Sequence, residues 1–461
     1  MKGSMDGMQV YYGAMDLDRS TGHTMLEHFR CPPEFIKIEL NRDPRLDAGY
    51  FRVGDEPIGY GACSTGTRRL VSDALPDALA EMTASSSTVC LPFDPDEVVD
   101  NLRYERYASS ARSLGGDSFI RRMYYVVRPL MPVGIRKHFQ KRYLRGWDKL
   151  EFPRWPVDHT VESIFEKLMV LTMQANGIDR IPFVWFWPDG ARSSVILTHD
   201  VETQAGLEFC SNLMDLNDSF GFRSSFQIVP EKRYPVNPAV LEEIRARGFE
   251  VNVHDLNHDG QLFSNREEFV RRARRISHYR REFAAEGFRA AVMYRNPDWY
   301  QDLDFSYDMS IPNVAHLDPQ RGGCCTVFPF FIGNLVELPL TTVQDYPLFH
   351  ILNDYSIGLW KKQIAIISER NGLISFIIHP DYVIDGACRR VYKELLQYLA
   401  TLRDCGQVWA ALPKEVASWW RLRSQMTIVK EFGSWRVQGE GSERARLAFA
   451  VLDHGTIRYE L

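Results

Sequence analysis

Two histidines four residues apart, His254 and His258, are the residues of this 461-residue chain whose type and spacing best suit chemistry. In a helix or a tight turn, side chains at that spacing share one face. Two imidazoles so placed, joined by a carboxylate from elsewhere, can hold one divalent ion. Neutral imidazole with carboxylate suits zinc and similar first-row metals. An open fourth position would take water, whose proton the metal makes easier to remove. The pair alone is a weak signal. Asp200 and Glu202 strengthen it, because residues two apart in a strand point the same way. One carboxylate can then ligate the ion while the other takes a proton. His199 is expected to face the opposite side. An acid ahead of a helix also serves as a cap, which is the plainer reading of either carboxylate taken singly. His379, in His379-Pro380-Asp381, reads either as a satisfied core histidine or as a general acid that protonates a leaving amine.

These residues sit where strands end. Val195-Ile196-Leu197 is a short strand leading into Thr198-His199-Asp200-Val201-Glu202. Phe249, Val251 and Val253 alternate with polar residues and run into His254. Ile374-Ser375-Phe376-Ile377-Ile378 is an apolar strand ending at His379. A further strand is expected over 224–229. Helices are expected over about 205–220, 238–247 with Gly248 as the C-cap, 266–286 and 387–403. Strand then helix, repeated, predicts a parallel α/β sheet or barrel. In such folds chemistry collects at the carboxyl ends of the strands, where Asp200, His254 and His379 lie. The chain divides into an N-terminal accessory α+β region (1–190), a catalytic region (191–425) and a small C-terminal β segment (426–461). In the first region, strands are expected near 50–53 and 58–61, a helix over 72–83 and a polar loop over 83–88.

Several ordered motifs make the second region resemble the polysaccharide deacetylase family, the chitooligosaccharide deacetylase homology domain of carbohydrate esterase family four. The likeness covers roughly residues 194–413. The family's opening Thr-Phe-Asp-Asp is similar to Thr198-His199-Asp200-Val201-Glu202, and its Ala-Thr-Phe-Phe-Val to Ser224-Ser225-Phe226-Gln227-Ile228. Its Gly-His-Glu-Ile-x-x-His-x-x-x-His is similar to the stretch from Gly248 to His258. Phe288-Arg289-Ala290-Ala291 resembles Phe-Arg-Pro-Pro, and Phe305-Ser306-Tyr307-Asp308-Met309-Ser310 resembles the region of Tyr-Asp-Ser-Ser. Glu337-Leu338-Pro339 and His379-Pro380 complete the order. The resemblance implies a distorted (β/α) barrel and a zinc-like divalent ion held by Glu202, His254 and His258. It implies Asp200 as general base, Arg289 as the cation that orients it, and His379 as general acid. The implied activity is hydrolytic removal of N-acetyl groups from a glycan or glycan precursor, in bacterial exopolysaccharide or cell-surface polysaccharide synthesis. Three departures leave alternatives open. Asp200-Val201-Glu202 replaces an adjacent acid pair, so the base and ligand assignments can be exchanged. Arg289 is followed by alanines, which makes Arg295 a rival. Asp255 replaces the usual Ser or Thr, and either supports a ligand or faces solvent. A carbohydrate-binding or regulatory protein with a degenerate site, and a hydrolase of another linear amide, are the other readings.

Composition narrows the partners. Hydrophobic residues are 45%, charged residues 25% and the formal net charge is -5, the profile of an ordinary globular protein. The net negative charge argues against a generalised attraction to nucleic acid, local basic patches aside; an N-acetylated sugar is the expected substrate. No basic start leads into an apolar run, and no stretch has bilayer-spanning length. The eight Cys show no framework spacing beyond adjacent Cys324-Cys325, which fits a reducing compartment. A cytoplasmic location is therefore expected, with a lipid-linked or nucleotide-linked sugar as substrate. Segment 121–149 carries nine Lys or Arg against the single acid Asp148, with aromatics interleaved. It reads either as a solvated helical face or as a peripheral contact with anionic lipid at the inner face of the membrane. Oligomeric state is not legible.

Overall fold

The computed structural model describes residues 21–41, 47–85, 87–108, 142 and 144–461. Among these residues nine strands form the central sheet. In chain order they are β1 (Ser193–Val201), β2 (Ser225–Ile228), β3 (Glu250–His254), β4 (Gly287–Arg289), β5 (Tyr307–Asp308), β6 (Phe330–Ile332), β7 (Leu335–Glu337), β8 (Leu373–Ile377) and β9 (Val408–Ala410). Their spatial order is β6-β7-β5-β4-β3-β2-β1-β8, with β9 beside the start of β1. Only β6 with β7 is antiparallel; the other pairings are parallel. Parallel strands are covered on both faces, and β1, β2, β3, β4 and β8 are buried at every position.

Helices α1 (Gln204–Ser219), α2 (Pro238–Ala246), α3 (Arg266–Glu282), α4 (Gly358–Glu369), α5 (Gly386–Asp404) and α6 (Pro413–Gln425) connect and cover the strands. Four of them start on side-chain caps, from Thr203, Asn237, Asn265 and Asp385. Each cap satisfies an amide that the first helical turn leaves unpaired.

The sheet curls until its edges meet. Thr341 and Thr342 follow β7, near one edge, yet they bond to β8 at the other. Thr341 Oγ1 donates to Leu373 O (2.7 Å) and accepts from the Ser375 amide (2.9 Å), and Thr342 Oγ1 donates to Ser375 O (2.7 Å). The seam is thus closed by these side chains and by one backbone bond, Leu373 N–H to Val327 O (2.8 Å), rather than by a strand ladder. The α/β class and the distorted (β/α) barrel expected from the motifs are what the chain adopts. Gly287 is forced by close approach: a Cβ there would lie 2.3 Å from the Tyr307 ring.

The helix expected over 72–83 does not form. Pro76 blocks continuation, the Asp77 carboxylate accepts from the Leu79 amide (3.0 Å), and only a 3₁₀ turn follows at Ala78–Glu81. The expected polar loop over 83–88 is instead part of a hairpin, Thr83–Ser85 against Thr88–Leu91. Strands Gly49–Arg52 and Ile58–Gly61 pair as expected. Residues 121–141 and 143 of the candidate membrane-contact segment lie outside the described residues. Two hairpins occupy 427–460, and the second adds Leu447–Asp453 to Arg180–Val184. Buried apolar side chains from Met25 to Ala450 join in one cluster. Within it, Arg423 of α6 donates to the carbonyls of Val184 (2.6 Å), Trp185 (3.0 Å) and His28 (2.8 Å). Among the described residues no helix is long and apolar enough to cross a membrane.

Candidate active site

Alternation along β1 sorts its residues between the barrel interior and the helix layer. Thr198 and Asp200 face inward, and Glu202 follows just past the strand end. His199 faces outward, where its Nδ1–H donates to Ile378 O (3.1 Å) and its Nε2 accepts from Asn217 Nδ2 (3.0 Å). Burial pushes this imidazole down to about 4, so it is a neutral core residue.

β3 delivers His254, and the chain then turns sharply. Asp255 and His258 have φ values of 54° and 56°, in the left-handed region that side chains bearing a Cβ seldom occupy. These two residues fold the loop back until the His254 and His258 rings stand 4.8 Å apart. The pair therefore shares a face through a strained turn, not a helix. Glu202 Oε1 lies among three imidazoles: 2.9 Å from His258 Nε2, 3.3 Å from His379 Nε2 and 3.9 Å from His254 Nε2.

The donor set fits a divalent ion. Ligand atoms of Glu202, His254 and His258 all lie within 4.8 Å of one another. The Nε2 atoms of both histidines are buried and make no well-aligned hydrogen bond, although His258 Nε2 faces Glu202. His254 Nδ1–H donates to Arg289 O (3.1 Å), which leaves its Nε2 lone pair free. Two imidazole nitrogens and a carboxylate are the ligands zinc prefers in sites that keep an open position.

Arg289 ends β4 and crosses the barrel interior. Its Nη1 donates to Asp200 Oδ1 (3.0 Å) and Thr198 Oγ1 (2.8 Å), and its Nε to Met309 O (3.0 Å). Arg295 pairs instead with Glu105, so Arg289 is the cation that reaches Asp200. The other oxygen, Asp200 Oδ2, lies 3.7 Å from His254 Nε2. Asp255 is buried and accepts from the Leu256 amide (2.6 Å), which removes the solvent-facing alternative.

His379 follows β8. Asp345, on the loop beyond the seam threonines, accepts from both its Nδ1–H and its backbone N–H (2.7 Å each). Sequence reasoning missed Asp345: it lies in a loop 34 residues before its partner, with no periodic element to place it. Arg233, whose Nη2 lies 3.1 Å from His258 Nδ1, sits in another loop and was missed for the same reason.

Burial works against charge throughout this site, and specific partners overrule it. Burial would raise the Asp200 carboxyl, but Arg289 and His254 outweigh it and hold the group below its ordinary value. Glu202 is likewise opposed by burial and held well below the carboxylate range by His258 and the other imidazoles around it. Burial would lower His379, but Asp345 and Glu202 lift it well above the ordinary imidazole value. Asp200 is thus biased toward its ionised form and His379 toward its protonated form, both beside the candidate metal triad. Such an arrangement can remove a proton from water on one side and deliver one to a leaving group on the other.

No protein-family model and no curated protein matches the chain. Solved structures that match include polysaccharide deacetylases. A candidate polysaccharide deacetylase from Mycobacterium smegmatis is 18% identical, with a TM-score of 0.41 over 52% of this chain and 93% of that one. A candidate polysaccharide deacetylase involved in O-antigen biosynthesis from Bordetella bronchiseptica is 18% identical, with a TM-score of 0.31 over 50% and 86%. A family 4 acetyl xylan esterase from Clostridium thermocellum, in complex with a cobalt ion, is 12% identical, with a TM-score of 0.31 over 49% and 91%.

Proposed function

We propose that this chain is a metal-dependent hydrolase that removes N-acetyl groups from a glycan or glycan precursor. The observation that carries the reading is the meeting, at one barrel mouth, of Glu202, His254 and His258 with an Arg289-held Asp200 and an Asp345-held His379. Glu202, His254 and His258 would hold the ion, with zinc favoured by the donor atoms. When bound, that ion supplies Lewis acidity, polarising the acetamide carbonyl and making water a better nucleophile.

The chain's own residues do the remaining work. Asp200 Oδ2 is the oxygen left free by the Arg289 contact, and it takes the proton from the attacking water. Arg289 fixes the direction of that carboxylate and keeps it ionised. His379 Nε2 delivers a proton to the leaving amine while Asp345 holds Nδ1. Acetate and a free amino sugar depart. The biological setting we favour is exopolysaccharide or cell-surface polysaccharide synthesis on the cytoplasmic side, with residues 1–190 and 426–461 as accessory parts around the catalytic region.

Metal analysis and acetate release test this together. Asp200→Asn is expected to keep the ion and lose turnover by about 10²–10⁴-fold, the range for removing a general base. Glu202→Gln is expected to lose the ion. Exchange of the two phenotypes reverses base and ligand. Far less than one ion per chain, with no acetate from any amino-sugar polymer or precursor after zinc addition, sinks the hydrolase reading and favours a binding protein.

A further inference from the structure

The two ligand histidines are not equivalently prepared. His254 Nδ1–H is committed to Arg289 O (3.1 Å), so its Nε2 carries the lone pair a metal needs. His258 Nδ1 faces Arg233 Nη2 at 3.1 Å. A guanidinium only donates, so Nδ1 must be the acceptor and the ring proton sits on Nε2, the atom aimed at Glu202. The same Nη2 lies 3.9 Å from Glu202 Oε2. Arg233 thus contacts two of the three expected ligands and supplies positive charge beside them.

We propose that Arg233 is a gate on metal loading, a positioning residue that must release His258 before an ion can bind there. This rests on the metal site proposed above. Coordination through His258 Nε2 moves the ring proton to Nδ1, and an N–H cannot accept from Arg233. The ion's charge also repels the guanidinium. The two states, Arg233 on His258 and metal on His258, exclude one another.

The loop is built so that only the side chain needs to move. Tyr234 OH donates to Val201 O (2.5 Å) and accepts from the Val229 amide (3.0 Å), and the Glu231 amide donates to Leu256 O (3.0 Å). Those bonds hold the loop on both sides of Arg233, through the Glu231 backbone on one side and the Tyr234 hydroxyl on the other. The Arg233 side chain itself is 35% exposed, which leaves it room to swing toward solvent.

The test compares the full chain with its Arg233→Met variant, both stripped of metal. Zinc affinity is read by competition with a chelating indicator, and the protonation of the His258 ring by ¹⁵N chemical shift. Arg233→Met is expected to bind zinc roughly tenfold more tightly, the size of a lost hydrogen bond to a charged group. The metal-free parent is expected to carry its His258 proton on Nε2 and to move it to Nδ1 on loading. Equal or weaker affinity in the variant, or a proton on Nδ1 in the metal-free parent, overturns the gate while the metal site stands. If neither protein binds zinc, the metal site itself is wrong and the gate falls with it.

Discussion

At the scale of single residues, Asp345 sets how strong an acid His379 is. A carboxylate in contact with an imidazole favours the protonated ring, commonly by 1–3 pH units, and His379 is raised well above its ordinary value. A raised value means the acid form persists to higher pH and is lost on the alkaline side. Asp345→Asn is therefore expected to move the alkaline limb of the kcat/KM profile to lower pH by about 1–3. Metal content should not change, because Asp345 touches no expected ligand of the ion. An unmoved limb assigns Asp345 to positioning the loop alone. Among the site's side chains, Asp200, His254 and His379 were legible in the sequence from their places at strand ends, Glu202 and His258 from their spacing, and Arg289 only from the motif resemblance, with Arg295 as its rival. Asp345 and Arg233 were not, because a loop residue has no period to say where it points. The strained turn at Asp255 and His258 was hidden too: residue type gave no reason to expect left-handed backbone there.

At the scale of elements, the seam between the segment after β7 and β8 leans on a few side-chain bonds. Thr341 Oγ1 serves both the Leu373 carbonyl and the Ser375 amide. Thr341→Val keeps the volume and strands both buried groups. Each unsatisfied group costs about 1–3 kcal/mol, so a loss of about 2–6 kcal/mol in unfolding free energy is expected from denaturant titration. A loss under 1 kcal/mol means the edges are held by packing rather than by these bonds. The long elements were legible: the apolar runs of β1, β2, β3 and β8 and the capped helices α1, α2, α3 and α5 fall within a few residues of expectation. β4, β5 and β7 have three, two and three residues, too few for any period to show. The helix expected over 72–83 fails at Pro76 and at the Asp77 cap, which starts only a short 3₁₀ turn.

At the scale of the whole molecule, two buried carboxyls outside the site tie stability to pH. Burial pushes Glu162 and Glu250 up to about 7. A carboxyl raised in the folded state adds stability that is fully present below its unfolded value and is lost as pH rises through the folded value. Stability is therefore expected to fall between about pH 4.5 and 7 on account of these groups. Each contributes on the order of 3 kcal/mol across that window. Glu250→Gln, read by thermal unfolding at pH 5 and pH 8, should narrow the gap between the two; an unchanged gap removes Glu250 from the account. The strand pairing of Arg180–Val184 with Leu447–Asp453 bears on how the chain reaches this state. Bringing two segments that far apart in sequence together from an unfolded coil carries a large closure entropy, and such distant contacts are slow to form. The intervening barrel, once assembled, shortens that path and delivers both partners to one place. The pairing of 180–184 with 447–453 is therefore expected to complete after the barrel, which hydrogen-exchange pulse labelling during refolding checks: protection of both segments no later than β1 and β8 overturns that order.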